Sequence, residues 1–309
     1  MPSQNNTPSR PVSKPRIRLG LDIWWPKATA AILFERMPYM LDAFDFVHDN
    51  NPEYVIFDDV RKSGKYTRKV RIYMPGENIW PDMDCCDWAF AHKYSESIPN
   101  QDRYLRFPNY VRLGAGENLI KRNDYNAQQI LVQKTKFCAF IFSNTNVEMR
   151  NKVFNLLSKY KRVDSPGVAF NNMPSFDRDP NPFSSKNYLT KYDDKVKFLR
   201  NYKFTIAFAN ESSAGYTSEK IYHAMLANSI PLYWGNPHIH RDFNTKSFLN
   251  LHEYESVADF VDKVVELDRN DQLYMRYLTE PWYPNNQLTQ YTNPQTYVDR
   301  FRKIFRMAS

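Results

Sequence analysis

Only eight glycines occur in 309 residues, and neither G-x-G-x-x-G nor G-x-x-x-x-G-K-[ST] is found among them. Loops that cradle a pyrophosphate in dinucleotide dehydrogenases and P-loop enzymes need those glycines for tight turns and close backbone approach, so their absence argues against both classes. Cysteine is scarcer still. An adjacent Cys85-Cys86 and a distant Cys138 give neither a disulfide framework nor the C-x-x-C spacing of a zinc site, which fits a reducing compartment. No stretch approaches the roughly 20 consecutive apolar residues of a membrane span, and the N-terminus lacks the apolar segment of a signal peptide. The expectation is a cytoplasmic protein. Runs of five or more Lys and Arg are also missing, so the net charge of +8 reads first as a solvated basic surface. Charge of this size suits a nucleic acid, an anionic membrane surface or an anionic small substrate, and does not choose among them.

What the chain does have is apolar bulk: 42% hydrophobic and 16% aromatic residues are ample for packed cores in one large or two ordinary domains. Residues 1–15, rich in Pro, Ser and Asn and without apolar periodicity, read as a flexible tail. Four apolar runs follow: "IRLGLDIWW" from Ile17, "YVIF" from Tyr54, "VRIYM" from Val70 and "DWAFA" from Asp87. In the first, Ile17, Leu19, Leu21 and Ile23 alternate with Arg18, Gly20 and Asp22, the period of a strand. A helix is expected near Ala28 to Arg36, ended by Pro38. Val111 to Leu131 breaks the pattern with glycines and polar residues, as a linker or inserted loop would.

A second α/β series then begins with the strand "FCAFIF" and the helix "EMRNKVFNLLSKY", whose Met149, Val153, Leu156, Leu157 and Tyr160 share one side. A loop to about Lys195 leads to the strand "FTIAF", Phe204 to Phe208. "SVADFVDKVVEL" and "PQTYVDRFRKIF" are further amphipathic helices. The pattern predicts two consecutive α/β domains facing across a cleft, residues 16–130 and 131–291, with a C-terminal helix in residues 292–309 packing back on the first.

Between "FTIAF" and "IPLYW" lies "NESSAGYTSEKIYHAML", Asn210 to Leu226. Ser218 is the expected N-cap of a helix on whose face Ile221, Ala224, Met225 and Asn228 follow. Strand, loop, helix and strand in so short a span make a βαβ unit, whose ligand side is the carboxyl end of its strands. Asn210 to Lys220 occupy that end. A ligand there meets free backbone N–H groups, a positive dipole end and the Lys220 ammonium, features that suit a phosphate or diphosphate. The plainer alternative is that Glu219 and Lys220 only decorate a helix start. His238 and His240 in "NPHIHRDF" have no third ligand close in sequence, so no metal site is expected.

The run "YKFTIAFANESSAGYTSEKIYHAMLANSIPLYWGNPHIHRDFNTKSFLNLHEY" resembles the donor-binding segment of the α-1,3-fucosyltransferases, the bacterial enzymes above all, with its Y-x-T/S-E-K-I core followed by I-P-L/I-Y-W-G. "FCAFIFSNTNVEMRNKVFNLLSKYKRVDS" is similar to the segment opening that family's donor domain, and "PGENIWPDMDCCDWAFA…DRYLRFPNY" to its acceptor-side segment. The resemblance implies a GT-B glycosyltransferase fold of two Rossmann-like domains. It also implies inverting transfer of L-fucose from GDP-fucose to the 3-hydroxyl of N-acetylglucosamine or glucose, in an N-acetyllactosamine- or lactose-type glycan. No cofactor is implied. Carried over, Glu77 in "PGENIWP" matches the general base, and Glu219 the second glutamate, which contacts donor hydroxyls or offsets oxocarbenium-like charge. Arg150 and Lys220 match the residues that neutralise the diphosphate, while Asn210 and Tyr216 match donor-contacting positions.

Trp24, Trp25 and Trp80 are candidates to stack on acceptor sugar faces. Two positions depart from the family pattern: Ala209 stands where many relatives carry Glu, and Pro166 interrupts a Ser-Gly-Gly. Competing readings are a GT-B transferase using another nucleotide sugar and a basic nucleic-acid-binding protein, the latter without any recognisable module. The partners expected are therefore GDP-fucose and a glycan acceptor, with no nucleic acid. The basic charge leaves open a peripheral contact with an anionic membrane surface, such as the inner membrane.

Overall fold

The computed structural model describes residues 13–25, 27–49, 51–175 and 185–307, so most of the expected tail and residues 176–184 of the loop expected before Lys195 lie outside the described residues, and the end of that expected loop is instead helical, Ser185–Leu199. The first sheet holds β1 (Arg16–Asp22), β2 (Asp45–Val47), β3 (Tyr54–Phe57), β4 (Val70–Tyr73), β5 (Trp88–Ala91) and β6 (Tyr104–Arg106). All its pairings are parallel, in the order β2-β1-β3-β4-β5-β6. Ile17 and Leu19 are buried while Arg16 and Arg18 face outward, as the alternation predicts. The inner strands β3 and β5 instead bury three consecutive residues, because both faces of a parallel sheet are covered.

Helices flanking this sheet are short: α1 (Ala30–Leu33), α2 (Pro38–Ala43) and α3 (Asn109–Arg112). Pro38 opens α2 instead of merely ending α1. Its fixed φ suits the first helical position, where a missing N–H costs nothing.

After α4 (Ala127–Gln133) the second sheet forms from β7 (Lys136–Ala139), β8 (Val163–Asp164), β9 (Tyr202–Phe208), β10 (Ile230–Trp234) and β11 (Leu249–Asn250), in the order β11-β10-β9-β7-β8. Its strands are also parallel. Their connections carry α5 (Glu148–Tyr160), α6 (Ser185–Leu199) and α7 (Glu219–Leu226), followed by α8 (Val257–Arg269), α9 (Asp271–Thr279) and α10 (Pro294–Ile304). Ser218 holds the N-cap position of α7, yet its buried hydroxyl makes no capping bond. Asn228 lies off the helix face expected of it: at φ 51 it terminates α7, its N–H reaching the Met225 carbonyl at 2.9 Å.

Two parallel sheets in tandem match the GT-B arrangement, and the halves are tightly joined. Val111 to Leu131 is fastened down: Asn118 donates to the Tyr222 hydroxyl at 2.8 Å, and the Lys121 ammonium to the carbonyls of Leu278 and Glu280. Arg106 at the end of β6 makes a fully buried bidentate pair with Asp242 of the second half, at 2.6 and 2.8 Å. The same guanidinium lies 4.4 Å from the ring centres of both Tyr94 and Tyr291. Gly215 lies against this junction at φ +85, where a Cβ would come within 2.4 Å of the His92 carbonyl. Only glycine fits there. Finally α10 returns to the first sheet, Phe301 stacking on Phe90 at 4.8 Å and Phe305 meeting Tyr54 edge-on at 4.7 Å.

Candidate active site

The carboxyl ends of both sheets open on one cavity of about 740 Å³. From the first sheet come Trp24 after β1, Asp58 to Lys62 after β3, and Gly76, Glu77 and Ile79 after β4. The second contributes Asn210 and Tyr216 from the loop after β9, and Glu219 and Lys220 from the first turn of α7. A second pocket of about 310 Å³ shares Asn210, Glu219 and Lys220, and continues to Phe142 and Arg150. Crossover connections put loops at this edge of a parallel sheet, which is why residues 133 positions apart, Asn78 and Glu211, meet here through a 2.8 Å hydrogen bond.

Arg150 is only 1% exposed, on the inner face of α5. Its guanidinium covers the Phe142 ring at 3.9 Å and donates to Asn210 Oδ1 at 3.2 Å, and its Nε has no partner. Burial pulls its pKa down to about 10. Among the described residues no carboxylate pairs with it, so this charge is held without compensation beside the second pocket. Lys220 contacts Glu219 at 3.3 Å, each side chain 18% exposed. Burial works against ionisation of Glu219, but Lys220 and Lys195 outweigh it and hold the carboxyl well below the usual carboxylate range. A cation pair, a fixed carboxylate and the start of an eight-residue helix thus converge on one edge of the cavity.

On the facing wall Glu77 is exposed to the cavity. Asn109 on α3 donates to the Gly76 carbonyl at 2.9 Å and fixes the turn that presents it. Tyr216 crosses from the second half toward the same point. Burial, then the charges of Glu77, Glu219 and Glu211, raise its pKa, so the phenol stays protonated. Behind Tyr216 lies His92, buried with both ring nitrogens unpartnered. Burial, together with Arg112 and Arg106, drives it down to about 3.

Glu77, Asn210, Tyr216, Glu219 and Lys220 therefore share one cavity, and Arg150 borders its extension. The tryptophans divide. Trp24 lines the cavity at 46% exposure, its backbone N–H donating to Asp58 Oδ2 at 2.5 Å. Trp25, expected beside it, is buried at 8% exposure. Trp80 is exposed under Lys93 and is not part of the lining. The Trp24 and Trp25 rings stack on each other, with centres 6.2 Å apart, Trp24 on the cavity side and Trp25 beneath it. Ala209 is buried against Gly235, where a Cβ would stand 2.9 Å from its methyl, leaving no room for a glutamate. At the other departure, Gly167 after Pro166 lies where a Cβ would come within 2.7 Å of the Phe142 carbonyl, bringing β8's exit against the wall of the second pocket. Asp58 and Arg112 were not singled out by sequence, having no motif around them. His238 and His240 are both exposed, and among the described residues no three His, Cys, Asp or Glu side chains cluster as a metal site would require.

A family model for the C-terminal part of glycosyltransferase family 10 (fucosyltransferase) matches residues 131–304, and one for the N-terminal domain of α-(1,3)-fucosyltransferase FucT matches residues 29–113. A fucosyltransferase of Acanthamoeba polyphaga mimivirus is 34% identical over 168 residues, which is 53% of this chain and 27% of that protein. The α-(1,3)-fucosyltransferase FucT of Helicobacter pylori is 25% identical over 307 residues, covering 87% of this chain and 60% of its own length. The chain thus spans less than two thirds of these relatives. A crystal structure of an α1,3-fucosyltransferase with GDP-fucose superposes with a TM-score of 0.75 at 21% identity, over 99% of this chain and 95% of that one, which is a likeness of fold.

Proposed function

The chain belongs to glycosyltransferase family 10, the fucosyltransferases, and from that premise we propose that it transfers L-fucose from GDP-fucose to the 3-hydroxyl of N-acetylglucosamine or glucose in an N-acetyllactosamine- or lactose-type glycan, with inversion. The observation that carries this reading is the cavity's polarity: the uncompensated Arg150 and the Lys220 ammonium on the wall from the second sheet, and an exposed glutamate on the wall from the first.

In this reading GDP leaves with developing negative charge. Arg150, short of partners and reaching the site with Asn210, and Lys220 on the first turn of α7 stabilise that charge as it forms. Glu219, kept ionised, faces donor hydroxyls or the oxocarbenium-like ring. Glu77 takes the proton of the attacking hydroxyl from the opposite side, as single-step inversion demands. Trp24 offers its face to the acceptor sugar.

The test is incubation with GDP-fucose and a panel of lactose- and N-acetyllactosamine-type acceptors, read by mass for one added deoxyhexose and by linkage analysis for the 3-position. No addition to any acceptor would overturn the reading. Addition with another nucleotide sugar alone would redirect it to a different donor on the same fold.

A further inference from the structure

Four cations line the main cavity, and three are engaged. Arg61 pairs with Asp59 at 2.6 Å, Lys62 with Asp22 and Asp58 at 3.1 Å each, and Lys220 with Glu219 at 3.3 Å. Arg112, at the end of α3, is different: among the described residues its guanidinium has neither an ion pair nor a hydrogen bond. It is held on the first-sheet wall, half-buried, beside the turn that presents Glu77.

The position is defined by Gly76. A Cβ placed there would lie 3.6 and 3.7 Å from the two terminal nitrogens of Arg112 and 3.9 Å from Trp24 Nε1. All three atoms are obligate donors. The Arg112 fork thus sits beside the candidate base, with the partly exposed Trp24 indole next to it. A planar guanidinium fork of this kind matches an oxyanion with two oxygens better than it matches a lone hydroxyl.

We propose that Arg112 is a specificity residue for an anionic acceptor: the accepting sugar, or the one joined to it, carries a carboxylate or a sulfate ester that seats on this fork. The inference rests on the fucosyl-transfer reading and names the acceptor class within it. Such a group also meets the repulsion of Glu77, and Arg112 is the cation placed to offset it.

The test uses three matched acceptors, neutral, carboxylated and sulfated, with the wild type, Arg112→Gln and Arg112→Lys. Each acceptor is also titrated by ligand-observed NMR in the presence of GDP, so that recognition is read apart from turnover. The wild type is expected to favour one anionic acceptor over the neutral one by roughly tenfold or more in kcat/KM, the carboxylated and sulfated arms telling which anion. Arg112→Gln should abolish that preference, lose binding of the anionic acceptor, and stay within about threefold of wild type on the neutral acceptor and in GDP affinity. Arg112→Lys should recover part of it, keeping charge but not the fork. Equal losses on all three acceptors would make Arg112 a positioning residue for the Glu77 turn and overturn the proposal. So would weakened GDP binding, or no preference in the wild type. Arg112-dependent anion binding without any fucosyl transfer would leave the site standing and sink the transfer reading instead.

Discussion

Arg150→Met separates a residue kept for binding from one kept for folding. In the free protein the guanidinium is 1% exposed and has no carboxylate partner, and burial pulls its pKa down to about 10, so holding the charge there costs on the order of 3 kcal/mol. Methionine removes that cost, while forfeiting the contact with Phe142 and the bond to Asn210, together worth about 2 to 3 kcal/mol. The two nearly cancel, so the melting temperature without ligand should move by no more than about 2 °C. Binding should respond very differently. Losing a charge-assisted contact to phosphate worth about 2 kcal/mol weakens GDP roughly thirtyfold. At a GDP concentration of about 100 times the wild-type dissociation constant, the stabilisation by ligand then falls from about 2.7 to about 0.9 kcal/mol. For 309 residues this is a melting shift of about 4 °C shrinking to little over 1 °C, readable by calorimetry or dye fluorescence. A variant that melts more than about 5 °C lower without ligand, yet keeps the full GDP-dependent rise, would refute the argument.

Glu77→Gln should lower fucose transfer by about 10²–10⁴-fold with GDP affinity unchanged, measured by radiolabelled transfer beside calorimetry; near-normal transfer would move the base to another residue, Glu219 first. Asp242→Ala strands the buried Arg106 charge between the two halves, so stability should drop by about 3–5 kcal/mol and the melting temperature by about 5–8 °C. A drop under about 1 °C would mean the pair carries no net weight. Acid should also destabilise the protein through its buried histidines. With His92 held at about 3, the unfolded chain takes up a proton below about pH 6.5 that the folded chain refuses, so stability is complete above that pH and is lost as pH falls toward 3, at about 1.4 kcal/mol per pH unit. His92→Gln should remove one proton's worth of that slope between pH 6 and 4, and an unchanged slope in urea titrations would contradict the assignment.

The parts of this molecule legible in its sequence are those governed by short-range rules. Alternation over Ile17 to Ile23 marked β1, and the hydroxyl-rich turn before Glu219-Lys220 marked the ligand edge of a βαβ unit. Glu77, Asn210, Tyr216 and Lys220 were readable because each sits in a motif spaced by its own loop. The three-residue β2 and two-residue β11 were not, being too short to carry a period. Pro38 misled because a residue that cannot continue one helix is well suited to begin another. Arg112, Asp58 and the burial of Trp25 were invisible for a different reason: each depends on which strand exits lie side by side, and that is set by sheet order.

The return of α10 to the first sheet also fixes a schedule for synthesis. Phe301 and Phe305 complete a core whose other members, Phe34, Phe44, Tyr54 and Phe90, leave the ribosome more than 200 residues earlier. At about 5–20 residues per second, those aromatic rings wait roughly 10 to 50 seconds for their lid. One face of the second sheet, whose packing partners lie between Ala127 and Leu278, is complete before α10 is made. This chain therefore matures against the direction of translation, and its early half is the part a nascent-chain chaperone would have to hold.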